Sequence, residues 1–170
     1  MTQNIKEKYN QLATDVRQYA VEADYFWFGI QVGIVGFEQA VSWADQIIAA
    51  ESEPDIALID IALAGLQGRN CVLDALPAVK GHRDPVIAGR MLLGDLKTQL
   101  LNGVSLNAIA TNAVKLARLS QMSELIIYEF EHIADDVALV EQGVYADYEQ
   151  VKLALITSLT RYQHIPAKQL

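Results

Sequence analysis

One cysteine, Cys71, is all the thiol chemistry that these 170 residues hold. No intramolecular disulfide can form and no cysteine cluster can bind a metal, which fits a reducing cytosol. Cys71 lies in Asn70-Cys71-Val72-Leu73, an apolar setting where a lone thiol serves as a small core residue. Long apolar runs are missing as well. Nothing approaches the ~18 residues that span a bilayer, and Met1-Thr2-Gln3-Asn4-Ile5-Lys6-Glu7-Lys8 has no apolar export core. The expectation is a cytoplasmic protein without a membrane partner. Basic residues are scarce, leaving a formal charge of −8 and a pI of about 4.8. Binding to a nucleic-acid backbone draws on Lys and Arg displacing counterions, so no direct nucleic-acid partner is expected.

Catalytic signatures are absent too. The chain has no Gly-x-Ser-x-Gly, no His-Glu-x-x-His and no phosphate-binding glycine loop. Glu129-x-x-His132 has the spacing of two ligands on a di-iron helix, but such a site needs a second copy of the pair, and none exists. His82, between Lys80-Gly81 and Arg83-Asp84, reads as a solvated helix connection, and His164 lies near the C-terminus. These residues predict a protein that is not an enzyme and needs no cofactor or metal.

What the chain does have is helical periodicity. Apolar residues make up 52% of it, enough to build a core at this length. They recur at three- and four-residue steps nearly throughout. Ile5, Tyr9, Leu12, Val16 and Tyr19 mark a first helix, and the aromatic stretch 24–34 ends at Gly33. Gly36 opens the next, with Phe37, Ala40, Val41, Ala44, Ile47 and Ile48 as its stripe. Ser52 as N-cap and Pro54 in the first turn predict a helix through Ile56, Ile59 and Leu63 that stops at Gly65. A helix from about Gln67 to Val79 is disturbed by Pro77 and closed by Gly81, Asp84-Pro85 starts one that Gly103 stops, and Ser105 caps another. Ser123 starts the clearest amphipathic segment, Ile126, Phe130, Ile133, Val137 and Val140, which Gly143 ends; a last helix through Val151, Leu155, Leu159 and Tyr162 stops before Pro166. The reading is all-α: a single compact domain over residues 1–170, about eight or nine helices packed as antiparallel hairpins.

Charge is most one-sided between Leu119 and Val151, which holds no lysine or arginine. Glu124, Tyr128, Glu131 and Asp135 follow at steps of four, three and four, on a stripe opposite Ile126, Phe130 and Ile133. Like charges so arranged gain nothing for the fold. The functional reading is a surface for a basic protein partner, made of Glu124, Tyr128, Glu131, Asp135, Asp136, Glu141, Tyr145, Asp147 and Tyr148, with the tyrosines as amphipathic anchors. The bland reading is a solvated face. Glu51, Glu53, Asp55 and Asp60 form a smaller acidic run that extends the surface or favours a helix N-terminus.

Asp24-Tyr25-Phe26-Trp27-Phe28-Gly29 with Gly33, then Trp43-Ala44-Asp45, Glu53-Pro54 and Ile59-Asp60-Ile61-Ala62, resemble a group of small all-helical bacterial immunity proteins from polymorphic toxin and contact-dependent growth inhibition systems. The resemblance covers roughly residues 20–65: an aromatic-Phe-Gly turn, a second glycine four residues on, a Trp-Ala-Asp helix and an acidic-Pro helix start. It implies a cytosolic inhibitor that covers the active site of a cognate toxin domain, in some members an EndoU-like ribonuclease. A basic, RNA-binding toxin would suit the acidic stripe, although the stripe lies outside the resemblance. The alternative is a helical adaptor or self-associating structural protein with an acidic protein-binding face.

Overall fold

A computed structural model describes residues 19–144 and 147–163. The expectations at Ile5, Tyr9, Leu12, Val16, Tyr145, His164 and Pro166 lie outside the described residues. The fold is all-α: eight α-helices and one 3-10 turn stand among the described residues. Their contacts gather into two compact units, one taking in residues up to Ile30 and Val35–Pro85, the other Gln31–Ile34 and the chain from Val86 onward.

Helix α1 is described over 19–32, with its residues up to Ile30 in the first unit, and ends at Gly33, whose φ of +84° only glycine adopts at little cost. Gly29 lies buried within that helix, so Phe28-Gly29 is not the turn that the sequence suggested. Helix α2 runs Phe37–Ala50 from an N-cap at Gly36, and α3 runs Ile56–Ala64. The cap of α3 is Asp55 rather than Ser52: its carboxylate accepts the Ala57 N–H at 3.1 Å, and Pro54 stands ahead of the helix. Gly65 is required for proximity, because a Cβ there would meet Val41 Cγ2 of α2 at 2.7 Å. The buried face of α3 is Ala57, Leu58, Ile61 and Ala64, whereas Ile56, Ile59 and Leu63 face solvent. Nearly every residue of this helix is apolar, so its periodicity had no contrast by which to choose a face.

Helix α4 covers Arg69–Ala75 and passes into a 3-10 turn at Leu76–Ala78, where Pro77 ends α-helical bonding. Arg83 repairs that end. Its guanidinium donates to the carbonyls of Leu76, Pro77 and Val79 at 3.2, 2.8 and 3.0 Å and pairs with Asp24 of α1. His82 beside it is exposed, but Arg83 is a clamp and not a solvated connection residue. Burial pushes the Asp24 carboxyl above the usual aspartate range, and the charge and hydrogen bond of Arg83 oppose that rise. Cys71 packs half-buried against the apolar core of this unit.

The second unit holds α5 (Pro85–Leu101), α6 (Leu106–Leu119), α7 (Glu124–Glu141) and α8 (Tyr148–Tyr162). Proline opens α5 where its missing N–H costs nothing. Ser105 caps α6 by accepting the Ala108 N–H at 3.2 Å, and Asp147 caps α8 through the Glu149 N–H at 3.1 Å. Leu92, Leu93, Leu96, Ile109, Leu116, Phe130, Leu155 and Leu159 are fully buried. Gly89 of α5 touches the turn after α6 so closely that a Cβ would lie 2.3 Å from Ser120 Oγ. Helix α7 packs between α6 and α8. Glu129 near its start meets Arg161 and Tyr162 at the end of α8, so those two run antiparallel.

Candidate functional site: the outer face of α7

Helix α7 sinks Ile126, Phe130, Ile133 and Val137 into the second unit. The rotation of about 100° per residue then turns Glu124, Leu125, Tyr128, His132, Asp135 and Leu139 outward. Leu125 and Tyr128 are 74% and 71% exposed. With Glu129, Glu131, His132 and Asp135 they line an open depression of about 540 Å³. Two side chains with apolar surface, Leu125 and Tyr128, thus stand exposed beside carboxylates.

The carboxylates are not equivalent. Glu124 and Asp135 are exposed. Glu131 is half-buried and paired with Arg118 of α6. Asp136 lies 4.0 Å from Nδ1 of the exposed His132, one turn away on the same helix. Glu141 is exposed in the last turn of α7, where no basic residue offsets the negative end of the helix dipole. Asp147 spends one oxygen on capping α8, Tyr148 is exposed at the start of that helix, and Tyr145 falls outside the described residues. The structure therefore collects Tyr128, Glu131 and Asp135 around one depression, whose lining does not include Glu124, Asp136, Glu141, Asp147 or Tyr148. Sequence reasoning missed Leu125. The signal was the run Leu125-Ile126-Ile127, in which a helix cannot turn three consecutive residues to one core.

Glu129 has a different role. Ser158 and Tyr162 of α8 donate their hydroxyl protons to it, and Arg161 lies 3.2 Å away. Burial would push its carboxyl up, but the hydrogen bonds from Ser158 and Tyr162 and the charge of Arg161 outweigh it and hold the group below the usual glutamate range. The same hydrogen bond, with burial, raises the Tyr162 phenol. Glu129 thus ties α7 to α8, and its oxygens are committed to that network. His132 points to solvent, and no group of three potential metal ligands gathers among the described residues.

No helix among the described residues is long and apolar enough to cross a membrane. No family model matches the chain, and neither does any curated protein or solved structure.

Proposed function

We propose that the chain is an immunity protein: a non-enzymatic, stoichiometric inhibitor that docks the outer face of α7 onto a basic toxin domain and blocks entry of its RNA substrate. The observation that carries this reading is the exposure of Leu125 and Tyr128 in a depression bordered by Glu131 and Asp135. Tyrosine supplies contact area and a hydrogen-bonding tip at low entropic cost. The carboxylates around it attract a cationic surface, and a net charge of −8 steers that surface in from a distance. A nuclease that grips RNA through Lys and Arg presents such a surface. The resemblance of residues 20–65 to immunity proteins supplies the partner class, and the cytosol, where RNA is found, is the compartment in which the inhibitor acts.

The test is growth rescue: co-expression of this gene with a toxin domain from an adjoining gene, followed by co-purification; adjoining genes that encode no such domain count against the reading. Restored growth with a stable complex supports the reading. Failure to rescue and failure to co-purify leave the helical adaptor as the better account.

A further inference from the structure

Helix α3, in the first unit, carries a second bare apolar stripe, which continues into the turn that follows it. Ile56, Ile59, Leu63 and Leu66 are 73%, 37%, 55% and 88% exposed. The three within the helix, Ile56, Ile59 and Leu63, follow at steps of three and four, the a/d spacing of a helix seam, and Leu66 stands in the turn just beyond its end. The opposite face, Ala57, Leu58, Ile61 and Ala64, is committed to the core of that unit, so the stripe is an addition to what folding requires. Positions flanking such a seam choose the partner by charge. Here they are Asp60 and the N-cap Asp55, whose carboxylate also accepts the Ala57 N–H, neither in an ion pair with a described residue. From Tyr19 through Gly68 the chain has no lysine or arginine at all.

The geometry points to a docking site on α3 for an amphipathic helix of another protein, one whose apolar stripe is flanked by lysine or arginine. The apolar seam selects a helix, laid along α3 as in helix-in-groove recognition. The flanking carboxylates select its charge. A second copy of this chain would bring Asp55 and Asp60 against their own kind, and like charges across a seam oppose pairing. An anionic lipid surface is disfavoured for the same reason. This site does not rest on the α7 reading.

The probe is a synthetic amphipathic helix with leucine at the a and d positions and lysine at e and g. Controls are a scrambled peptide of equal composition and one with glutamate at e and g. Fluorescence anisotropy against the full chain should show binding of the lysine peptide, with both controls at least about tenfold weaker, the scale of losing a central contact. Leu63→Asp and Ile56→Asp, both at exposed positions, should each weaken it at least about tenfold while the thermal melt is unchanged. Asp60→Lys should shift preference toward the glutamate peptide, and Tyr128→Ala should leave binding as it is. Equal binding of the scrambled peptide, or no effect of Leu63→Asp, overturns the proposal. So does a sedimentation dimer of this chain that Leu63→Asp dissociates, which would assign the stripe to a second copy.

Discussion

Arg118 on α6 pairs with Glu131 on α7 and takes one carboxylate out of the acidic stripe. The pair is largely exposed, so it contributes little to stability; its consequence is for binding. A partially neutralised Glu131 attracts a cationic partner less than the exposed Asp135. Glu131→Gln should therefore cost less affinity for the proposed basic partner than Asp135→Asn. Arg118→Ala, which removes a positive charge beside the site, should speed association severalfold, an effect that added salt abolishes. Stopped-flow association rates at low and high salt check both statements.

Arg83 joins the broken end of α4 to a buried carboxylate of α1, 59 residues away in sequence. Arg83→Ala leaves Asp24 and three carbonyls without that donor and should destabilise the protein by about 2–3 kcal/mol, less than a fully buried pair because the guanidinium is partly exposed. A carboxyl raised by burial favours folding most when protonated; that contribution is present below its unfolded value and lost as pH rises through the folded one. Removing the cation that restrains it should make the deficit larger at pH 7 than near pH 4, close to the ordinary aspartate value. Urea denaturation of both proteins at the two pH values reads this.

Glu129 has the opposite sign. Its folded value is depressed, so its contribution is present above the unfolded value of about 4.3 and lost as pH falls through the folded one. Glu129→Gln should lower the melting temperature at neutral pH, and the gap to the wild type should shrink on acidification below about pH 4. A gap that is constant with pH would mean that Ser158, Arg161 and Tyr162 do not hold the ionised form.

Two glycines of one helix should respond differently. At Gly89 an added methyl meets Ser120 Oγ at 2.3 Å and Met122 Cε at 2.7 Å, so Gly89→Ala should cost about 1–3 kcal/mol despite the better helix propensity of alanine. At Gly94 the nearest atom is Gln163 Oε1 at 3.4 Å, and Gly94→Ala should be neutral or stabilising by up to about 1 kcal/mol. Thermal melts of the two variants side by side separate close packing from propensity.

Features set by local chemistry were legible in the sequence. Gly33, Gly103 and Gly143, all at positive φ, close helices, Ser105 caps one, and α7 starts after Ser123 with its core face as its spacing indicates. Features set by distance were not. Read along the chain, the stretch 119–151 has no cation, yet Arg118 and Arg161 reach Glu131 and Glu129 from the neighbouring helices. The Asp24–Arg83 clamp was equally invisible, since no pattern links residues 59 apart. Helix α3 is the third kind of miss. Its apolar residues surround the axis, and only packing decided that Leu58 and Ile61 are buried while Ile56 and Leu63 are bare. At the candidate site, Tyr128 and Asp135 were readable from spacing, and Leu125 emerged only once the core face of α7 was known.

The most direct test of the α7 face is calorimetric titration of the purified toxin domain with the wild-type chain and with a Tyr128→Ala/Asp135→Lys double variant. Both positions are exposed, so the variant should keep its melting temperature. The account predicts one-to-one binding by the wild type and a loss of at least about a hundredfold in the variant, the scale of removing one aromatic anchor and reversing one charge at an interface. Equal affinities would place the toxin contact elsewhere on the molecule and remove α7 from it.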